Sequence, residues 1–316
     1  MASTTPPTSP IQITFLTAGS VRIRPSMRSQ PATSFALTRR LRSLCDRRWT
    51  DPMPVGVFLL QHATEGTYLF DTGQSPCCND RGYFPRAALF NSLLSEFTIE
   101  RGEGIVSQLA RRGIRATDLT GVILSHLHND HAGGLEDLVA EAPDLRVYIS
   151  REHWDAFGKR PLFASFEGAT PNHWPEPFTP TIVDFADAPL GPWKQSFTLT
   201  SDGSLVLVDT SGHVPGHMAL VVRSYSEEDK KPVTYFLPGD ATYGIDVLDR
   251  EEPDGINDDP MRALQTLRRI KEFARQGEVV VLPSHDRDAP RLLAERVVYR
   301  PDAAKAAGDG KSSTAG

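Results

Sequence analysis

Between Ser125 and Gly134 the chain reads Ser-His-Leu-His-Asn-Asp-His-Ala-Gly-Gly, which places His126, His128, Asp130 and His131 within six positions. Imidazole and carboxylate together suit zinc or a similar first-row divalent ion, and this spacing lets one loop supply several ligands. The chain has nine histidines, and an incidental polar loop does not explain why three of them fall here. Three later segments share one design, an apolar strand or its turn, then a small residue, then a potential ligand. They are Ser211-Gly212-His213-Val214-Pro215-Gly216-His217, Pro238-Gly239-Asp240-Ala241-Thr242-Tyr243 and Pro283-Ser284-His285-Asp286. Each alone is a weak signal, but in order after the first cluster they form a strong one. His62 and His153 lack such a setting and read as structural histidines.

The elements that must carry these residues are legible as period-two or fully apolar runs. Ile11 to Leu16 reads as the first strand, and Val55 to His62 with Thr67 to Asp71 as a hairpin turning at Gly66. Val122-Ile123-Leu124 runs straight into His126, and Val279 to Leu282 runs into His285. Ligands at the carboxyl ends of buried strands are rigidly held yet face a crevice. Further strands are expected at Leu145–Ile149, Leu205–Asp209, Met218–Tyr225 and Val233–Leu237. Helices are expected at about Ser34–Cys45, Glu103–Arg112, Leu135–Ala140, Arg151–Phe157 and Met261–Gln276, the last with Asp259 as N-cap and an apolar face of Leu264, Leu267, Ile270 and Phe273. Gly133 and Gly134 are expected to permit tight backbone turns after the metal loop.

Two segments resist this reading. From Gly19 to Pro54 the chain is irregular and arginine-rich, which fits a solvated surface loop or, less favoured, a contact for an anionic substrate. From Gly158 to Gly203 prolines and aromatics dominate, and this stretch is expected either to cover the site with an apolar pocket or to pack on the sheet by its own aromatics. The 316 residues suffice for a substantial core without disulfides, and Cys45, Cys77 and Cys78 are an odd, sparse set that reads as structural thiols in a reducing, cytoplasmic setting. A net charge of -6 argues against nucleic acid as partner, and no apolar run reaches the ~20 residues of a membrane span. One domain is expected over residues 11–301, with disordered tails at 1–10 and 302–316. Oligomeric state is left open, a homodimer included.

The motif His-x-His-x-Asp-His, followed in order by His213, Asp240 and His285, resembles that of the metallo-β-lactamase superfamily across about Ile11 to Asp286. The resemblance implies an α/β fold, an αββα sandwich of two mixed β-sheets flanked by helices. It also implies a binuclear centre in which His126, His128 and His213 hold one divalent metal ion, Asp130, His131 and His285 hold the second, and Asp240 bridges them. His217 would support its loop. A histidine at 128, where flavodiiron relatives carry glutamate, favours zinc-type hydrolysis over oxygen chemistry. Two such ions can generate a bridging hydroxide at neutral pH while one polarises a carbonyl, with Asp130 passing a proton to the leaving oxygen.

Within the superfamily, Asp240-Ala241-Thr242-Tyr243 is similar to the Asp-x-x-Tyr element of N-acyl homoserine lactonases, as is the Ser-His-Leu-His-x-Asp-His-Ala-Gly-Gly stretch. That likeness implies a small-molecule lactone or ester as substrate, with Tyr243 orienting it and stabilising its oxyanion. The alternative is a thioesterase on the same scaffold, for which basic surface at Arg39 to Arg48 would suit an acidic acyl carrier. A phosphodiesterase has no dedicated motif here, and a non-catalytic metal-stabilised module conflicts with so complete a ligand set.

Overall fold

The computed structural model describes residues 10–32, 35–84, 93–226 and 230–301, so of the tails expected at 1–10 and 302–316 all but residue 10 lie outside the described residues. Seven strands pair into a first mixed sheet: β1 (Ile11–Ile23), β2 (Met53–His62), β3 (Gly66–Phe70), β4 (Ser95–Thr98), β5 (Gly121–Ile123), β6 (Val147–Ser150) and β7 (Thr181–Val183), in the order β4-β1-β2-β3-β5-β6-β7. Five form a second: β8 (Phe197–Thr198), β9 (Leu205–Asp209), β10 (Met218–Ser226), β11 (Lys231–Leu237) and β12 (Val279–Val281), in the order β12-β11-β10-β9-β8. The hairpin expected at Gly66 is present as the antiparallel pair β2 and β3, and β3, β5, β6 and β7 then run parallel.

Because successive side chains of a strand point to opposite faces, each strand feeds two cores. In β2, Phe58 and Leu60 meet Leu205 and Leu207 of β9 and Leu220 of β10 between the sheets. Val57 and Leu59 turn the other way and pack with Ile105, Leu109, Leu135 and Leu138 of the helices outside the first sheet. On the far side, Val206 and Val208 pack with Leu267, Ile270 and Ala274 of the Pro260–Arg275 helix. Two mixed sheets with helices on both outer faces are the expected αββα sandwich. Asp259 caps the Pro260–Arg275 helix as expected, its Oδ1 accepting from Met261 N at 3.0 Å and Arg262 N at 2.9 Å. Among the described residues no helix is long and apolar enough to cross a membrane.

Both difficult segments are more ordered than their composition implies. β1 continues past a bulge between Thr17 and Ser20 to Ile23, because Val21 and Ile23 are buried while β4 supplies a pairing edge. Short helices follow at Pro25–Arg28 and Ala36–Cys45. The arginines here divide: Arg42, Arg47 and Arg48 are exposed, as a solvated face would have them, and others are engaged. Arg39 is fully buried, Arg28 pairs with Asp246, Arg40 with Glu167, and Arg24 lies 3.6 Å over the Trp49 ring. Residues 158–203 contribute the Pro161–Glu167 helix, β7 and β8. Of the aromatics there, Phe163, Trp174 and Phe178 pack on the first core and Trp193 stacks on Phe236. Cys78 is buried, and burial pushes its thiol up to about 12, whereas Cys45 is exposed and is no packed thiol.

Candidate metal centre

The carboxyl ends of β5, β9, β11 and β12 bring the sequence-selected residues to one edge of the sandwich. After β5 the chain passes through His126 and His128, then turns into a single helical turn, Asn129–Ala132, that carries Asp130 and His131. Gly133 and Gly134 follow, but not for the expected reason: their φ angles of -66° and -85° suit any residue. What they lack is room. A Cβ at Gly133 would lie 2.7 Å from Gln74 Oε1 and 2.8 Å from Ser75 N, and one at Gly134 would lie 2.6 Å from Thr72 O.

His126 Nε2 lies 2.9 Å from His128 Nδ1, which lies 3.1 Å from His213 Nε2. Beside this trio, Asp240 Oδ1 is 3.1 Å from His131 Nε2 and 3.3 Å from His285 Nε2, while its Oδ2 is 3.8 Å from His213 Nε2. Asp130 Oδ2 is 3.7 Å from His285 Nε2. All seven residues therefore converge, in two groups that share Asp240 between them. Tyr243 is buried beside them, its ring stacked on His285 with centroids 5.1 Å apart.

Hydrogen bonds on the far side of four of the five rings, all but His128, fix which nitrogen faces inward. His131 Nδ1–H donates to Asp71 Oδ2 at 2.8 Å, His213 Nδ1–H to Asp254 Oδ2 at 3.1 Å, and His285 Nδ1–H to the Pro54 carbonyl at 2.8 Å. Ser125 Oγ donates to Asp71 Oδ2 at 3.0 Å and so accepts from His126 Nδ1–H at 2.9 Å. Four Nε2 lone pairs are thereby aimed at the interior of the cluster. His131 Nε2, His285 Nε2 and Asp240 Oδ1 are buried there with no hydrogen-bond partner among the described residues. Lone pairs that converge without a donor repel unless a cation sits among them. Their spacing also fits one, since ligands about 2.0–2.1 Å from a tetrahedral zinc stand roughly 3.3 Å apart.

The electrostatics divide the candidate ligands: the pKa of His126 and His128 is lowered, and that of His131, His213 and His285 is raised, against burial, by neighbouring carboxylates. Burial lowers the pKa of His126 and His128 and keeps those rings neutral, as ligands must be. Burial also opposes charge on His131, yet the carboxylates of Asp240, Asp71 and Asp130 prevail and raise its pKa well above 6.5. Burial would raise the Asp240 pKa, but His131 and His285 hold it well below the carboxylate range. The site is an anionic field around inward lone pairs.

His153 and His217 do something else with the same ring. His217 Nε2 accepts from Asp240 N at 3.2 Å and its Nδ1–H donates to Thr210 Oγ1 at 2.8 Å, so it supports the Asp240 loop. His153 Nε2 accepts from Leu127 N at 2.9 Å and its Nδ1–H donates to the Pro215 carbonyl at 2.8 Å, joining the two histidine loops. His62 is likewise structural, 3.0 Å from both Asp202 Oδ2 and Ser204 Oγ. Burial takes the His153 pKa down from 6.5 to about 4. Folding therefore favours its neutral form, and that contribution is complete above pH 6.5 and lost as pH falls toward 4. In urea unfolding of the chelated protein, the stability advantage of wild type over His153→Gln should shrink by about 2 kcal/mol between about pH 7 and about pH 5. A constant difference across that range would refute the assignment.

Sequence reasoning missed the residues behind the ligands, Asp71 and Asp254 above all. Asp71 sits at φ 64°, an uncommon conformation for a non-glycine residue. That posture at the end of β3 lets its carboxylate hold Ser125 N at 2.7 Å together with Ser125 Oγ and His131. A carboxylate at the end of a strand parallel to β5 was the available signal, and it required knowing that β3 and β5 pair. Asp254 lies in a loop with no local pattern.

A profile described as the metallo-beta-lactamase superfamily matches residues 50–285. The chain belongs to this superfamily. Among curated members, an N-acyl homoserine lactonase of Bacillus sp is 28% identical over 76% of this chain and 84% of its own length. The N-acyl homoserine lactonase AiiB of Agrobacterium fabrum is 28% identical over 75% and 80%. A solved N-acyl homoserine lactone hydrolase, with the product N-hexanoyl-L-homoserine at its catalytic metal centre, aligns at TM-score 0.64 and 22% identity over 92% of this chain and 97% of that one. AidC, a dizinc quorum-quenching lactonase, aligns at TM-score 0.57 and 15% identity over 88% of both chains. The fold is thus shared across the superfamily, and this chain carries in it a buried histidine and aspartate cluster of the kind that holds two metals.

Above the cluster opens a cavity of about 400 Å³ whose floor is His128, Asp130, His213, Asp240 and Tyr243. Its walls are apolar: Val21, Ile23 and Met27, then Leu37, Leu41 and Leu44 of the Ala36–Cys45 helix, with Leu94, Phe97 and Phe166. The pocket expected from residues 158–203 is supplied by them only through Phe166, Glu167 and Gly168. Most of the wall comes from the arginine-rich segment, whose leucines face the cavity while Arg28, Arg39 and Arg40 hold it in place.

Proposed function

We propose that this protein is a metal-dependent lactonase acting on a lactone with an apolar acyl tail, of the N-acyl homoserine lactone type. The observation that carries this reading is Tyr243, buried on the floor of an apolar cavity between the ring of His285 and the carboxylate of Asp240. Similarity to lactonases over three quarters of the chain supports it. In this reading His126, His128 and His213 hold one zinc ion, Asp130, His131 and His285 the other, and Asp240 both. Imidazole-rich sets with carboxylates suit zinc. When bound, the two ions supply water activated at neutral pH and a Lewis acid for the substrate carbonyl.

The chain's own groups do the rest. Burial, with the carboxylates of Asp240, Asp254 and Asp130, raises the Tyr243 pKa well above 10, so its hydroxyl stays protonated and can donate to the oxyanion as it forms. Asp130 is only partly buried and borders the cavity, where its carboxylate takes the proton released by water and returns it to the ring oxygen as the C–O bond breaks. The apolar walls receive the tail and keep solvent from the reacting bond. The thioesterase alternative drew on basic surface at Arg39 to Arg48, of which Arg39 is buried and Arg40 is engaged by Glu167, leaving Arg42, Arg47 and Arg48 exposed.

A parallel panel of acyl lactones, acyl thioesters and phosphodiesters tests the reading, with lactone opening followed by proton release. Lactones should be the fastest class. Tyr243→Phe should lower kcat about 10²-fold, as loss of one oxyanion donor does, with little change in melting temperature. Rapid thioester cleavage without lactone opening would transfer the assignment to the thioesterase class.

A further inference from the structure

The Ala36–Cys45 helix walls the cavity without being held by an apolar core. Leu37 and Leu41 are 69% and 50% exposed, and both point their side chains to the cavity instead of joining the packed clusters. Two adjacent arginines hold the helix instead. Arg39 turns inward, fully buried, and donates to the backbone carbonyls of Gln30 at 3.2 Å, Pro253 at 3.0 Å and Asp254 at 2.5 Å. Arg40 forms a bidentate ion pair with Glu167, at 2.9 and 2.7 Å, on the last residue of the Pro161–Glu167 helix. Both side chains are shielded, 28% and 14% exposed, and both line the cavity beside Phe166.

We propose that the Arg40–Glu167 pair is a specificity-determining clasp that joins the two helices walling the cavity and so sets the length of apolar tail the site accepts. This rests on reading the cavity as the acyl site of a lactonase. A planar guanidinium forked onto a carboxylate fixes both distance and orientation, which a point charge does not. A tail entering the cavity covers Leu37 and Leu41, and each methylene it buries strengthens binding about fourfold, provided the wall keeps its place. Without the clasp, Arg39 still anchors the inner side of the helix, but among the described residues no other hydrogen bond or ion pair joins it to the Pro161–Glu167 helix. The outer methylenes of a long tail then lose their wall, while a short tail never reached it.

The test compares zinc-loaded wild type with Glu167→Gln, Arg40→Met and the double variant on butanoyl and decanoyl homoserine lactone. The decanoyl-to-butanoyl ratio of kcat/KM should fall roughly fifteenfold, the equivalent of two methylenes, through KM for the decanoyl substrate. The double variant should be no worse than either single one, and Arg40→Lys, which keeps charge but not the fork, should fall between. Equal losses on both tails, losses confined to kcat, or additive losses in the double variant would each overturn the proposal. Calorimetric binding of 1-hexanol and 1-decanol, which contain no bond to hydrolyse, separates this from the lactonase reading. If no lactone is opened, that reading fails, while a decanol preference lost in Glu167→Gln still upholds the clasp. Wild type that binds both alcohols alike would refute it.

Discussion

Chelation should abolish hydrolysis and lower the melting temperature by roughly 10 °C, and zinc should restore both. The stability half of this expectation follows from the buried atoms that face one another in the metal-free site. His131 Nε2, His285 Nε2 and Asp240 Oδ1 are buried without a hydrogen-bond partner among the described residues. Each unanswered buried polar group costs about 1–3 kcal/mol, so three amount to several kcal/mol that bound ions remove. In a domain of this size a kilocalorie is about 2–4 °C of melting temperature, which gives the shift. His131, His213 and His285 can take protons in place of cations, because neighbouring carboxylates outweigh burial and raise the pKa of each, so the loss on chelation should be larger at higher pH. Scanning calorimetry with and without chelator, and elemental analysis finding close to two ions per chain, read the two halves separately. A protein that melts and turns over identically after complete removal of metal would end the metal-centre assignment.

The candidate ligands were legible because each follows an apolar strand, so one local pattern, recurring after β5, β9, β11 and β12, marked the residues that converge. His153 and His217 were correctly set aside, and the physical reason is visible: each spends Nε2 on a backbone N–H, of Leu127 and Asp240 respectively. What stayed hidden depends on pairing between distant segments. Asp71 matters only because β3 lies parallel to β5, and Asp254 because its loop, gripped at the carbonyl by Arg39 215 positions away, brings its carboxylate to His213 Nδ1. The arginine-rich stretch was read correctly at the exposed Arg42, Arg47 and Arg48 but not at Arg28, Arg39 and Arg40, for a related reason. Charge in sequence says nothing of whether a carboxylate or a carbonyl waits in space, and here Glu167, Asp246 and the 253–254 backbone did. Gly133 and Gly134 show the same limit, since their smallness serves the neighbouring 72–75 loop and not their own dihedral angles.

Asp240→Asn should cost about 10³-fold in kcat/KM while leaving the fold intact. The side chain keeps its shape, and the backbone N–H that His217 Nε2 accepts is untouched, so the loop after β11 keeps its anchor. What changes is charge and lone pairs. Asp240 presents one oxygen to His131 and His285 and the other to His213, and an amide can offer an oxygen to only one side while turning N–H donors on the other. The anion that both rings face is also gone, which weakens the field that draws a cation into the site. If Asp240 joins two ions, its loss uncouples their placement, and about 4 kcal/mol of transition-state stabilisation is the size of effect that a Lewis-acid contribution carries. Elemental analysis of the variant should find nearer one ion than two, and circular dichroism should match wild type. A variant that retains both ions and wild-type turnover would mean that Asp240 serves as a buried counter-charge to His131 and His285, and the catalytic burden would then fall on Asp130 and Tyr243.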